Sequence, residues 1–385
     1  MLSEMTRVLS VSSLLLLWVF SSCGTPGDGS YFPIPEDARE VTTSRVQEFV
    51  VDTLFAELNR PWDMEFLPDG KVIITERSGR LLLVEGGVLQ GAVNERIEPG
   101  LRGVRAHPEF ESNHLIYLSY YKEDASMGEG YHSILTRGRL ENDQLQDEEV
   151  IYTTGPFSES PEWYGNRIEF DEDGYLYFAV GQRDGVETTQ DLMHPSGKTF
   201  RLFDDGRIPP DNPFVNDQAL PEIYTYGHRQ HQGLTRHPET GEIWSNEHGA
   251  KGGDEVNILT PGANFGWPLA TYSLNYDDTI ISPDTLLEGT IPPIHHWTPS
   301  IAPSGLAFTV GETYSGWRED MFTGSLKFRY LMRSRLDGHR ITDEEILLEN
   351  MGRVRTVKVG PDNYLYVLTE DTGLLVRLLP ASIFR

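Results

Sequence analysis

The chain carries a single cysteine in 385 residues, so no internal disulfide is possible and stability must come from packing or bound ions. Basic residues are scarce: 32 Lys and Arg face 59 Asp and Glu, a formal net charge of −27. That balance argues strongly against nucleic acid as a partner, since phosphate binding needs a basic face. Helical periodicity is nearly absent, and only one apolar run is long enough to raise the question of a membrane. This run, residues 8–20, follows Arg7 and is too short to cross a bilayer comfortably. It ends in Val19-Phe20-Ser21-Ser22-Cys23, the layout of a lipoprotein signal over 1–23 in which Cys23 is lipidated and begins the mature protein. A plain secretory signal with an incidental cysteine is the alternative. Gly24 is not the acidic residue that commonly holds such proteins at the inner membrane. The expected location is therefore the periplasmic face of the outer membrane, with membrane contact only through the lipid anchor. Residues 24–45 open Gly- and Pro-rich and predict a flexible tether, which leaves 46–385 as a single domain.

What the chain has in abundance is one repeated phrase. Phe66-Leu-Pro-Asp-Gly-Lys-Val-Ile-Ile returns as Phe170-Asp-Glu-Asp-Gly-Tyr-Leu-Tyr-Phe and as Val359-Gly-Pro-Asp-Asn-Tyr-Leu-Tyr-Val. Looser copies begin at His107-Pro-Glu-Phe and His237-Pro-Glu-Thr-Gly, and Ser304-Gly-Leu-Ala-Phe-Thr-Val matches the strand before such a turn. Each is a strand, a tight turn of Asp-Gly or Asn type, and an alternating apolar strand. Five copies and a partial sixth, roughly 40 to 70 residues apart, predict an all-β, six-bladed β-propeller of four-stranded antiparallel blades. A pair of β-sandwiches is the runner-up, but its turns would not repeat one phrase. The uneven spacing puts long loops on some blades, and such loops usually carry the site.

Other phrases are more specific than the blade turn. They are, in order, Arg60-Pro-Trp-Asp-Met-Glu-Phe, Tyr226-Gly-His-Arg-Gln-His-Gln-Gly-Leu, and Glu247-His-Gly-Ala-Lys-Gly-Gly-Asp-Glu-Val-Asn with Gly262-Ala-Asn-Phe-Gly-Trp-Pro. Trp297-Thr-Pro-Ser-Ile-Ala-Pro, Gly324-Ser-Leu-Lys and Gly352-Arg-Val-Arg follow. This set covers nearly the whole mature body and resembles the soluble aldose sugar dehydrogenases of the glucose/sorbosone dehydrogenase family, which depend on pyrroloquinoline quinone (PQQ).

The resemblance implies PQQ and Ca²⁺ as cofactors. PQQ carries three carboxylates and needs fixed cations, which by the resemblance are Lys327, Arg353 and Arg355, with Arg229 facing the quinone carbonyl. The planar fork of arginine suits a carboxylate, and beside a carbonyl it stabilises the oxyanion that forms as hydride arrives. Any one of these residues taken alone reads as a surface or ion-paired cation. Gln230 stands where the family has Asn, Glu98 where a Gln contacts the site, and Trp297 is counted with the cofactor residues. The cofactor's calcium falls on the backbone carbonyls of Gly249 and Ala250, the latter replacing a proline. A second, structural ion falls near Asp254, Glu255 and the Phe265 carbonyl, unless the two acids are ordinary solvated ones.

The chemistry also needs a base. The family's histidine corresponds to Trp163 and its supporting acid to Gln182, and neither an indole nor an amide takes a proton at ordinary pH. His231, His248 and Glu162 are the candidate replacements, each with a structural reading beside it, and Trp163 reads equally as a stacking surface for a sugar. The expected function is oxidation of an aldose or related alcohol, with electrons passed to an external acceptor. The alternative is a propeller that binds a saccharide or a protein after losing its base. A hydrolytic lactonase is a weaker third reading, with no motif of its own.

Overall fold

The computed structural model describes residues 31–36, 40–94, 100–123, 130–155, 165–182 and 185–385. Its strands form six antiparallel sheets traversed in chain order: 61–94 is blade 1, 104–153 blade 2, 167–226 blade 3, 231–297 blade 4 and 303–347 blade 5. Blade 6 combines 354–380 with the N-terminal strand Glu48–Phe55, whose Val50 pairs with Leu379 and closes the ring. The first strand of each blade packs against the first strands of its two neighbours, so the six first strands surround the axis. This is the six-bladed propeller that the repeats predict.

Each repeated phrase is the turn from the first to the second strand of a blade. Phe66 ends Pro61–Phe66 and Lys71 begins Lys71–Glu76; Phe170 ends Arg167–Phe170, and Val359 ends Val354–Val359. The His107 and His237 phrases follow Val104–Ala106 and His231–Arg236, and the partial copy lies in Pro303–Phe308. These turns therefore share one face of the disc. The connections from second to third strands, and from each blade to the next, emerge on the other face. Gln182, Arg229, Gln230, His248, Gly249, Ala250, Lys327 and Arg353 all lie in those connections, so strand order alone gathers them at one mouth of the axis.

The core is divided among the blade interfaces. Six hydrophobic clusters each join two adjacent blades, as where Trp317, Phe322 and Leu331 of blade 5 meet Val357 and Leu365 of blade 6. A sheet sandwiched between two others is buried on both faces. The strand Leu176–Val180 is accordingly buried at every position, where its phrase reads as alternating.

The N-terminal segment is tied down further than the composition of 24–45 predicts. Tyr31 and Phe32 are buried in the cluster between blades 6 and 1, and the Tyr31 hydroxyl donates to Leu67 O at 2.7 Å. The fully buried Arg377 donates to the carbonyls of Phe32 and Pro33 and pairs with Asp52 at 2.8 Å. Val41–Thr43 adds a short strand beside Glu48–Phe55. Aromatic burial outweighs the local Gly and Pro content here, so the body begins before residue 46. Cys23 lies outside the described residues, and among the described residues no helix is long and apolar enough to cross a membrane.

Candidate active site

Five arginines meet at the mouth around two buried residues of opposite character. Glu370, at the end of a blade-6 strand, receives Arg77 Nη1 at 2.8 Å and Arg355 Nε at 3.1 Å. Arg60 and Arg353 stand 3.6 and 3.7 Å from the same carboxylate. The Trp62 ring packs against Arg355 at 4.1 Å and Arg102 at 4.4 Å. Arg102 is 1% exposed, its Nε has no hydrogen-bond partner, and no described carboxylate pairs with it. Burial, together with Arg77, pulls its pKa down to about 9, and burial takes Arg355 to about 10. Both remain cations at neutral pH. One carboxylate thus faces several guanidiniums, a local excess of positive charge in a chain whose net charge is −27. Burying unbalanced charge is costly unless something neutralises it, so the arrangement suits an anion.

Burial pushes Glu370 up, but the Arg355 and Arg77 guanidiniums outweigh it and hold its pKa well below the usual carboxylate range. A depressed carboxylate contributes stability that is complete above the unfolded pKa of 4.5 and is lost as pH falls. Below pH 4.5 the unfolding free energy of the wild type is expected to drop relative to Glu370→Gln by about 1.4 kcal/mol per pH unit. Urea titrations of both proteins between pH 6 and 3 check this; parallel curves would mean that Glu370 is not ion-paired.

The second half of the mouth is a hydrogen-bonded set of loops. Gln182 N donates to Arg229 O at 2.6 Å and His248 N to Gln230 O at 2.9 Å, which ties blades 3 and 4 together. Arg229 Nη1 donates to His248 O at 3.1 Å and Gly249 O at 2.6 Å, and its guanidinium lies 5.3 Å from the Trp267 ring. A Cβ at Gly249 would lie 2.1 Å from Gly252 O, so only glycine permits this tight loop. His248 Nε2 bonds Pro303 O at 2.7 Å, which fixes the tautomer and leaves Nδ1 with the lone pair. Burial, reinforced by Arg229, Arg355 and Arg353, pulls its pKa down to about 3, so the ring is neutral at neutral pH. Lys327 is exposed on the same face with its ammonium 5.1 Å over Phe328, and forms no ion pair with a described residue. Glu98, Glu162 and Trp163 lie outside the described residues.

Three expectations are corrected. His231 is fully buried as the first residue of a blade-4 strand, its ring 4.1 Å from that of His228, and it has no access to a substrate. It does not serve as the base. Asp254 does not join Glu255 at the second ion. Neighbours on a strand point to opposite faces, and the Asp254 oxygens are taken by Gly249 N at 2.9 Å and Ala302 N at 2.8 Å. Trp297 sits on the outermost strand of blade 4, in the cluster with Trp244 and Met332, and donates to Glu344 at 2.8 Å. It is a packing residue. Trp297→Phe is expected to cost about 1 kcal/mol of stability through that lost hydrogen bond and to leave cofactor affinity unchanged, as thermal unfolding and equilibrium dialysis would show.

A profile of the family described as Glucose / Sorbosone dehydrogenase matches residues 58–377. The chain belongs to the glucose/sorbosone dehydrogenase family. Aldose sugar dehydrogenase YliI of Escherichia coli (strain K12) is 36% identical over 349 residues, which cover 86% of this chain and 93% of that protein. The crystal structure of the soluble aldose sugar dehydrogenase from Escherichia coli in the apo-form aligns with a TM-score of 0.82 at 34% identity, over 86% of this chain and 99% of that one. The PQQ-bound aldose sugar dehydrogenase from Streptomyces coelicolor aligns with a TM-score of 0.68 at 25% identity, over 86% and 98%. Glucose/sorbosone dehydrogenases are thus a sugar dehydrogenase family of the PQQ type. Trp62, Arg77, Arg102 and Glu370 were not singled out from sequence. The phrase Arg60-Pro-Trp-Asp was the available signal for Trp62, whereas Arg102 and Glu370 carry no local pattern that marks them.

Proposed function

We propose that this member of the family is a PQQ- and calcium-dependent dehydrogenase that oxidises an aldose sugar or related alcohol. It would act as an exported lipoprotein anchored through Cys23, and pass its electrons to an external acceptor. The observation that carries the reading is the excess of guanidinium charge around Glu370, with Arg102 buried and unpaired beside it. A flat tricarboxylate meets that charge and would balance the excess that the buried Arg102 guanidinium adds. Arg353, Arg355 and Lys327 would hold the carboxylates and Arg229 the quinone edge. Calcium would take the carbonyls of Gly249 and Ala250. Gly249 O already receives Arg229, so an ion there needs cofactor oxygens to complete its shell of six to eight. When bound, PQQ supplies the hydride acceptor.

The chain's own contribution is orientation and proton transfer. Gln182 is held by Trp267 Nε1 at 2.8 Å and has no charge to lend, so it positions the Trp267 wall of the mouth. His248 offers the lone pair of Nδ1, on a ring held by Pro303. A base this weak would accept the proton only in concert with loss of the C–H hydride, when the substrate's hydroxyl becomes strongly acidic and its oxygen is retained as the carbonyl. Arg229 would stabilise negative charge at the quinone edge that it holds.

A second reading is a propeller that holds the anionic cofactor without turnover, favoured by the burial of His231 and the engagement of Gln182. The two are separated by loading the purified protein with PQQ and Ca²⁺, adding a panel of aldoses, and recording the cofactor's absorption. Conversion of the bound quinone to its reduced form supports the dehydrogenase. Binding without reduction supports the second reading, and failure to bind sinks both.

A further inference from the structure

The disc has a second mouth, on the face of the repeated turns, and no residue assigned to PQQ or calcium lines it. The penultimate residue of each first strand does: Glu65, Arg105, Glu169, Thr235, Ala307 and Lys358, from blades 1 to 6 in order. Arg105 Nη1 donates to Glu65 at 3.0 Å and Nη2 to Glu169 at 2.7 Å, and Lys358 pairs with Glu65 on its other side. A continuous arc of ion pairs thus runs over blades 6, 1, 2 and 3. Blades 4 and 5 contribute only a threonine and an alanine. The missing bulk leaves a cavity of about 560 Å³, within the range of small-molecule sites.

This cavity is not the back of the guanidinium mouth. Arg167, 4% exposed, reaches from blade 3 to Arg355 O and Thr356 Oγ1 of blade 6, at 3.0 and 3.1 Å. It also donates to Gln232 O of blade 4 at 2.6 Å and pairs with Asp63 of blade 1 at 3.1 Å. Blades 3 and 6 are opposite in a ring of six, so this side chain crosses the axis and separates the two mouths.

The chemistry of the lining narrows the ligand. Its charges nearly cancel, with Glu65, Glu169, Asp171 and Glu172 against Arg105, Arg236 and Lys358, so net charge draws in no ion. Glu65 and Glu169 are already ion-paired, yet each carboxylate has lone pairs to spare. Three polar side chains are open. The Thr235 hydroxyl, the Arg236 guanidinium and the Asn363 amide form no hydrogen bond or ion pair with a described residue. Apolar groups complete the walls: Phe66, Phe170 and Phe308 from blades 1, 3 and 5, and Pro108, Pro238 and Pro361 from blades 2, 4 and 6. A ligand that matches donors, acceptors and apolar walls together is uncharged, has groups that both donate and accept, and presents C–H faces. A pyranose has all three properties.

We propose that the second mouth binds a neutral saccharide and holds it without oxidising it. A first strand such as Pro61–Phe66, 6 residues long, spans about 20 Å, so a sugar at the turns is out of reach of the redox mouth. Binding there requires neither PQQ nor turnover.

The test is ligand-observed NMR on the whole protein without PQQ. The probes are methyl α-D-glucopyranoside, methyl β-D-galactopyranoside and trehalose, none of which has a free anomeric hydroxyl. At least one is expected to give saturable magnetisation transfer with a Kd in the millimolar range or below. Thr235→Trp fills the cavity, and Arg236→Ala removes an open donor without breaking a contact. Each is expected to weaken that binding by about tenfold or more and to leave PQQ affinity unchanged. A wild type that binds none of the three probes overturns the proposal. So does undiminished binding in a folded Arg236→Ala protein, or binding that saturating PQQ displaces, which would put the sugar in the redox mouth.

Discussion

Replacing Arg355 by Met is expected to weaken PQQ binding at least a hundredfold and to lower the unfolding free energy by about 3 kcal/mol. The two effects have different origins. Arg355 is 4% exposed and gives its donors to Glu370, to Gln232 Oε1 at 2.8 Å and, more weakly, to Ser304. Breaking one arm of a buried ionic network costs about 3–5 kcal/mol when the partner is left bare. Arg77 stays on Glu370 at 2.8 Å, which places the loss at the lower end. The binding loss follows because a buried charged donor to a carboxylate has no aqueous substitute. Arg355→Lys separates the two: it keeps the charge but loses the planar fork, so stability is expected to recover more than affinity does. Equilibrium dialysis of PQQ alongside urea unfolding reads both quantities. Unchanged PQQ affinity in a folded Arg355→Met protein would remove the basis for the anion site.

His248→Gln is expected to lower kcat by about 10²–10⁴, the usual contribution of a general base, with KM and PQQ affinity changed by no more than about twofold. Glutamine keeps an N–H that can reach Pro303 O, so the loop from Glu247 to Gly253 retains its anchor while the Nδ1 lone pair is lost. The Arg229 contacts to the carbonyls of His248 and Gly249 involve backbone and are retained. A steady-state comparison over several aldoses checks this. An unchanged kcat would place the base elsewhere, whereas a rise in KM alone would make His248 a substrate contact.

The propeller was legible because its signal is local and repeated. The phrases at Phe66, Phe170 and Val359 each need only a tight turn and two strands, and six such units close a ring. The mouth was half legible. Arg229, Gln230, His248 and Gly249 lie in phrases with their own pattern, and the structure joins them by direct hydrogen bonds. Trp297 was misplaced because a motif tells which residues occur together in sequence, and an outermost strand can carry a motif into the core. His231 was misplaced for a related reason. Two positions after Arg229 the chain enters a strand, and the ring turns into the blade, away from the mouth.

By itself the sequence determined the all-β class, the blade count and the family's ordered motifs, all of which depend on short-range pattern. Only the tertiary structure decided that Arg60, Arg77, Arg353 and Arg355 converge on Glu370, and that Arg102 lies buried and unpaired beside Trp62. Those residues come from segments nearly the full chain apart, and ring closure by Glu48–Phe55 against Leu375–Pro380 sets blades 6 and 1 side by side. Charges so far apart along the chain acquire a common field only when the last blade closes on the first, and no one-dimensional pattern encodes that distance.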